Sequence, residues 1–517
     1  LIPASVEEVM PGDVVSIGTA MSVELPPLAT NFKGRVDARL EAFFVPNRLL
    51  WAGWQDFITQ DPNHKPVVPG FSTPTTVPMV NLTQTSTLSC SLADYLGVKG
   101  ASGLQGTEVS GAVNALPFLA YQKIWDDWYR DSLIQQPFFV DGIDQANSEY
   151  GTLGANRMPY LRSTGTLSNN NGTYYQANTV LGYNGRDLRA LAQRNFAKDY
   201  FTTMTTQPQA GAAAELGFSV NVDPNDVDAS TGDYLGNGQF SIASLRAANA
   251  LQKWLERNNI AGTRYYDQIL AHYGVLPSDA VFQRSVLLGA TTVPVVVNSI
   301  AQQSQISTNG QGKNPYANST GAQFGRGNGF GKDRLVNKFE VKEHGYIFIL
   351  FSLVPHAYYS TGIRRYLSQR TSSSTFAFPE FAGIGDQAVK KSELHSPVYG
   401  SVGDTTIGYV QRYAEYKYHD DEVHGLLTDG ASLDSFVLQR GFDGSVGLNS
   451  SLLEIPTNYM DNVMVTTQSV SGFNAVVDCY FDAKYLRVLP EYSLPTLCSN
   501  EDGGGKKVYV NKGGTRL

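Results

Sequence analysis

The sequence predicts a mainly β protein, a β-sandwich interrupted by large loop and helical insertions. Alternating apolar and polar segments stand near the beginning, middle and end of the chain. Helical spacing is confined to a few grouped segments, and long Gly/Asn/Ser/Thr-rich stretches lie between them. Strands so far apart in sequence must pair non-locally, in one sheet system that spans residues 1–517 as a single domain.

RVDARLEAFFVP, residues 35–46, places Val36, Ala38, Leu40, Ala42 and Phe44 on one face. Arg35, Asp37, Arg39 and Glu41 fall on the other, so a half-buried antiparallel strand ending at Pro46 is expected. FNAVVDCYFDAKYLRVLP, residues 473–490, repeats the pattern: Phe473, Ala475, Val477, Cys479 and Phe481 oppose Asn474, Asp478 and Asp482. NKFEVKEHGYIFILFSLVP, residues 337–355, reads as one strand running from a solvated edge into a core covered on both faces. VPVVV at 293–297 and VQRYAEYKY at 410–418 are further strand candidates.

Among the helices, LPFLAYQKIWDDWYRD at 116–131 sets Tyr121, Ile124, Trp125 and Trp128 on one face. Its acids fall elsewhere and read as surface residues, with Asp126 and Arg130 spaced to pair. Pro117 suits the first turn. A stripe with two tryptophans is a packing surface rather than a ligand box. Residues 241–258 form a second helix, with Ile242, Leu245, Ala248, Leu251 and Leu255 on one side. A third starts at Thr263, carries Tyr266, Ile269, Leu270 and Tyr273 on one face, and ends at Gly274. RDLRALAQRNFAKDYF, residues 186–201, is a fourth. Residues 141–184, 207–239 and 303–332 read as surface loops.

Charged residues make up only 17% of the chain, which fits a surface largely hidden in contacts. A net charge of −8 excludes condensing nucleic acid by bulk electrostatics. If the protein encloses nucleic acid, a separate basic component must neutralise the phosphates. The three cysteines, Cys90, Cys479 and Cys498, form no CxxC motif and fit a reducing compartment; Cys479 reads as a buried thiol. The longest apolar run, 346–355, is too short to cross a bilayer, and no signal peptide pattern opens the chain, so a soluble protein without membrane insertion is expected.

Candidate chemistry fails on spacing. GRGNGFGK at 325–332 has Arg326 and Asp333 where a phosphate loop needs Gly and Ser/Thr, and reads as a flexible glycine loop. HDDEVH at 419–424 spaces its histidines at i, i+5 and reads as a solvated polar turn. DPNDVDASTGD at 223–233 puts Thr231 and Asn237 where a calcium loop needs Gly and Glu, and reads as an acidic exposed loop. No catalytic residue, cofactor site or metal site is assigned. A two-carboxylate glycosidase needs no local motif, which keeps a carbohydrate-binding or glycan-hydrolysing β-sandwich as the alternative. The tail KKVYVNKGGTRL brackets Tyr509 with Lys506, Lys507, Lys512 and Arg516, a set that could touch phosphates and stack a base. A loosely solvated terminus is the favoured reading of so short a block.

Several stretches in order resemble the major capsid proteins of microviruses, nearest to the gokushovirus-like group of small single-stranded-DNA phages. They are PGDVVSIG at 11–18, FFVPNRLLWAGWQDF at 43–57, the 116–131 helix, RNFAKDYFTTMTTQPQ at 194–209 and residues 244–275. EHGYIFILFSLVPHAYYSTG at 343–362, GYVQRYAEYKYHDDEVHG at 408–425 and CYFDAKYLRVLPEYSLP at 479–495 complete the set. The resemblance implies an eight-stranded antiparallel jelly roll and no enzyme activity. It implies self-assembly into a T=1 icosahedral shell around circular single-stranded DNA, within virions assembled in the bacterial host cytoplasm. The implied partners are copies of the chain itself, a small basic DNA-binding protein, the packaged DNA, pilot or minor and scaffolding proteins, and a host cell-surface receptor. The loops 141–184 and 207–239 depart from the resemblance and are expected on the outside. Residues 207–239 stand where the group builds a protrusion at the threefold axes, and are short for a large one.

Overall fold

The computed structural model describes residues 1–51, 54–59, 77–81, 91–98, 112–135, 174–175, 188, 190–211, 242–262, 264–276, 278–279, 283–301, 323–464, 475–487 and 507–516. Eight long strands carry the fold: β1 (Ile2–Val9), β2 (Val14–Glu24), β3 (Val36–Pro46), β4 (Val286–Ala301), β5 (Gln323–Glu340), β6 (Gly345–Pro355), β7 (Val476–Arg487) and β8 (Lys507–Arg516). They form one antiparallel sheet in the order β1-β6-β3-β4-β5-β2-β7-β8. The sheet turns over within β4, whose residues up to Val295 pair with β3 while those from Val296 pair with β5. Its two end strands, β1 and β8, lie beside each other. Arg487 on β7 reaches across near this seam, donating to the Glu8 carbonyl at 3.1 Å and pairing with the buried Asp13 carboxylate at 3.2 Å. The protein is therefore mainly β, a large antiparallel sheet nearly closed into a barrel, with helices in a minor role.

Alternation dictates the inside. Val36, Ala38, Leu40, Ala42 and Phe44 of β3 join Val477, Cys479, Phe481, Ala483 and Tyr485 of β7 in the barrel core, as the period-2 pattern predicts. β6 is covered on both faces: Ile347, Ile349 and Phe351 enter this core, while Tyr346, Phe348 and Leu350 enter a second one outside the sheet. The second core lies under helix α1 (Leu116–Ile124) and includes Trp51, Phe118, Tyr121 and Trp125. A third gathers Tyr200, Phe201, Tyr359, Val389, Val410 and Leu452, mostly from the excursion between β6 and β7.

Five local expectations are corrected. Residues 337–355 are not one strand: β5 ends at Glu340, and a turn whose Val341 exchanges backbone hydrogen bonds with Asp13 and Gly12 precedes β6. The polar face of β3 is not solvated, since Asp37 is buried and Glu41 meets Arg194 at 2.5 Å beneath the aromatic helix. Segment 410–418 leaves its strand at Val410 and turns, with Tyr413 at φ 64°. Residues 188–201 form no helix where described; the reason lies with α1, below.

Residues 325–332 are no flexible loop but part of β5. Gly325 and Gly327 are buried on its inner side while Arg326, Asn328, Phe330 and Lys332 are exposed. A Cβ on Gly327 would stand 2.4 Å from Leu25 Cδ1, and one on Gly331 2.3 Å from Val293 Cγ2. The glycines let neighbouring chain pack directly on the strand's backbone. Residues 141–184 lie outside the described residues except for the Tyr174–Tyr175 strand, and 207–239 except for 207–211. The acidic stretch 223–233 also lies outside them.

Candidate functional site

Helix α1 begins where the Asn114 side chain accepts from the Leu116 N–H at 2.9 Å, with Pro117 in the first turn. Its last turn widens into a π-turn, Trp125–Tyr129, closed by Arg130 N–H donating to the Trp125 carbonyl. The expected aromatic stripe is buried at Tyr121, Ile124 and Trp125, and Trp128 is half-buried. The expectation that the acids are surface residues is overturned: Gln122, Lys123, Asp126 and Asp127 are buried too.

Each of these side chains has at least one partner, although Gln122 Oε1 itself accepts no hydrogen bond. Lys123 Nζ pairs with Asp127 at 3.0 Å, and Arg130 with Asp126 at 2.5 Å, the expected i, i+4 pair. Asp127 also accepts from the backbone N–H and the hydroxyl of Ser285, at 2.8 and 2.9 Å. Burial raises the Asp126 carboxyl above its usual range, against the pull of Arg130. Gln122 donates to the Leu188 and Ala190 carbonyls, and Trp125 to that of Gln193. The Tyr121 hydroxyl accepts from the Ala192 N–H. These bonds consume backbone groups that a helix through 188–193 would need, and the described residues there form none. The cluster is a fastener between helix, sheet and loop; no reacting group is left open in it.

A second polar assembly is a cleft of about 220 Å³ over the third core, lined in part by Tyr359, Arg364, Arg365, Tyr416, Asp420 and His424. Arg365 pairs with the buried Glu393 at 2.9 Å, Arg370 pairs with Glu415, and Arg364 meets Glu422 at 2.5 Å. Burial, followed by repulsion from Asp199, pushes the Asp420 carboxyl up to about 7. HDDEVH contributes to this wall. His424 is exposed, as a polar turn predicts, but Asp421–Glu422 form a short strand parallel to Tyr358–Tyr359. Among the described residues no cluster of three or more His, Cys, Asp or Glu could hold a metal ion, and no helix is long and apolar enough to cross a membrane.

The basic C-terminal set is partly located. Lys506 lies outside the described residues. The backbone from Lys507 to Arg516 is not a loose terminus but the edge strand β8. In its register Tyr509 stands opposite Tyr485, Lys512 opposite Asp482 and Arg516 opposite Asp478. Strand pairing replaces solvation here because the alternation Val508, Val510 continues a β pattern that the charge count hides.

The chain's relatives point to a structural role. The profile of the family described as Capsid protein (F protein) matches residues 1–497. Capsid protein VP1 of Chlamydia phage 1 is 27% identical, over 96% of this chain and 92% of its own length. VP1 of Bdellovibrio phage phiMH2K is 27% identical over the same shares, and VP1 of Spiroplasma virus 4 is 26% identical over 88% of this chain and 84% of its own. A barrel built for packing, polar clusters spent on fastening, and a family match across nearly the whole length lead to one statement: the chain belongs to the F-protein family of phage capsid proteins.

Proposed function

We propose that this protein is the major capsid protein of a T=1 icosahedral shell that encloses circular single-stranded DNA, and that its barrel is a jelly roll. Strand order carries the reading. Divided where β4 turns over, the sheet gives halves β1-β6-β3-β4 and β5-β2-β7-β8, and the chain crosses from one half to the other at every step except β3 to β4 and β7 to β8, which supports a jelly-roll path. Role and location follow the family: structural rather than enzymatic, in the virion, with self-association as the activity. An acidic chain in such a shell calls for a small basic DNA-binding protein to neutralise the genome, and Lys506, Lys507, Tyr509, Lys512 and Arg516 are proposed to contact the DNA alongside it. The loops at 141–184 and 207–239 are proposed to lie outside, with 207–239 at the threefold axes, and to touch the host receptor. Pilot or minor and scaffolding proteins would join during assembly in the host cytoplasm.

The test is sedimentation of particles from the natural source, with nuclease protection and typing of the nucleic acid. Uniform particles holding nuclease-resistant circular single-stranded DNA are expected. A discrete monomer without nucleic acid would overturn the reading. Limited proteolysis of intact particles should cut within 141–184 and 207–239 and spare 506–516; early loss of the C-terminal strand would sink its genome-facing role.

A further inference from the structure

Helix α2 (Ile242–Ala261) and helix α3 (Tyr265–Tyr273) form a hairpin, with Trp254 stacked on His272 at 6.4 Å. Ala247, Ala248, Leu251, Trp254 and Leu255 recur at the spacing of a core-facing stripe. Yet Leu251 is 48% exposed and Trp254 51%. On α3 and just beyond it, Tyr273 and Leu276 are 79% and 70% exposed. Glu256 of α2 faces Gly385, and Ile384, next to it in the chain, is 63% exposed.

The size of this surface decides what it is for. Leu251, Trp254, Leu270, Tyr273, Leu276 and Ile384 together leave on the order of 800 Å² in solvent. The largest apolar patch on a typical monomer is about 300–600 Å². Each partner in a standard protein–protein contact buries roughly 800 Å². The patch therefore has the area and composition of one side of a stable interface. Arg246, Lys253 and Arg257 are exposed on α2, a polar surround of the kind that borders such contacts.

We infer that the α2–α3 hairpin, with Ile384 beside it, is a subunit interface covered by a second copy of this chain. The inference rests on the shell-forming reading above. Within that reading it assigns this face to assembly, with Trp254 and Tyr273 as the aromatic anchors.

Two measurements test it, both on the full chain. In the first, Leu251→Glu and Trp254→Glu are introduced together. Because both side chains are half-exposed, the subunit should keep its circular dichroism and remain soluble, while the yield of closed particles falls at least tenfold. Wild-type material run in parallel separates the two claims: if it forms no particles, the shell-forming reading fails, whereas normal particles from the variant overturn the interface. In the second, hydrogen exchange over 242–276 is compared between wild-type particles and the unassembled fraction of the same preparation. Protection that appears only on assembly is expected. Equal protection in free subunits would show the face to be covered by the subunit's own chain, such as 212–241, and would overturn the inference even if the variant had failed to fold.

Discussion

Asp127 and Ser285 join the aromatic helix to the start of β4: one carboxylate oxygen accepts from both the backbone N–H and the hydroxyl of Ser285, at 2.8 and 2.9 Å. The other oxygen holds Lys123 at 3.0 Å, and all three residues are buried. Residues 127 and 285 lie on either side of a long insertion, so this contact clamps both of its ends to the barrel.

Asp127→Ala should therefore destabilise the subunit by about 3–5 kcal/mol, since it removes the carboxylate that a buried ammonium and two Ser285 donors share. Asp127→Asn keeps an acceptor and should cost less. Denaturant unfolding of the free subunit measures both. Equal, near-zero effects would mean that the cluster does not hold the insertion.

The strand at 325–332 makes an opposite pair of predictions for neighbouring residues. Gly327→Val drives a side chain into Leu25, and strain of about 1–3 kcal/mol or more is expected. Arg326→Ala removes an exposed pair with Glu24 and should change stability by less than about 1 kcal/mol. A flexible loop would tolerate both, so comparing the two melting curves is decisive.

Asp420 should make the lobe over the third core sensitive to pH. Its carboxyl is held up at about 7 by burial and by Asp199, well above its value in an unfolded chain. The neutral form is thus favoured by folding. That stabilisation is complete below about pH 4 and is lost as pH rises through 7. Hydrogen exchange across 356–424 should be slower at pH 5 than at pH 8 after correction for intrinsic rates. Asp420→Asn should flatten the difference; a pH dependence unchanged in that variant would assign it to other groups.

Cys479 sits in the barrel core, and burial pushes its thiol up to about 12. It should resist alkylation in native subunits and react once they unfold, as peptide mass mapping would show. Rapid labelling under native conditions would mean that the β7 side of the barrel opens.

These predictions divide along what the sequence could reveal. The inner faces of β3 and β7 were legible because each has one apolar side, and period 2 is unambiguous there. The double burial of β6 was legible as a continuous apolar run. The burial of Lys123, Asp126 and Asp127 was not, because charge marks a surface unless a partner arrives from elsewhere. Here, besides the i, i+4 partner Arg130, the partners are Arg264, which donates to the Asp127 carbonyl, and Ser285, while the neighbouring Gln122 and Trp125 hold the segment at 188–193. That same segment has helical spacing, and its helix is lost to hydrogen bonds with α1 that no local pattern encodes. Gly325–Gly331 looked like a loop because glycine lacks strand propensity, although glycine at every second position was itself a period-2 signal. The open stripe on α2 was legible as amphipathic, but a single chain cannot say that its cover comes from another copy.

The most direct test of the central claim is an electron cryo-microscopy reconstruction of particles purified from the natural source. The account predicts a closed T=1 shell with one copy of the chain per icosahedral asymmetric unit, each with the strand order β1-β6-β3-β4-β5-β2-β7-β8. A different strand order, or an assembly with no closed icosahedral shell, would contradict it.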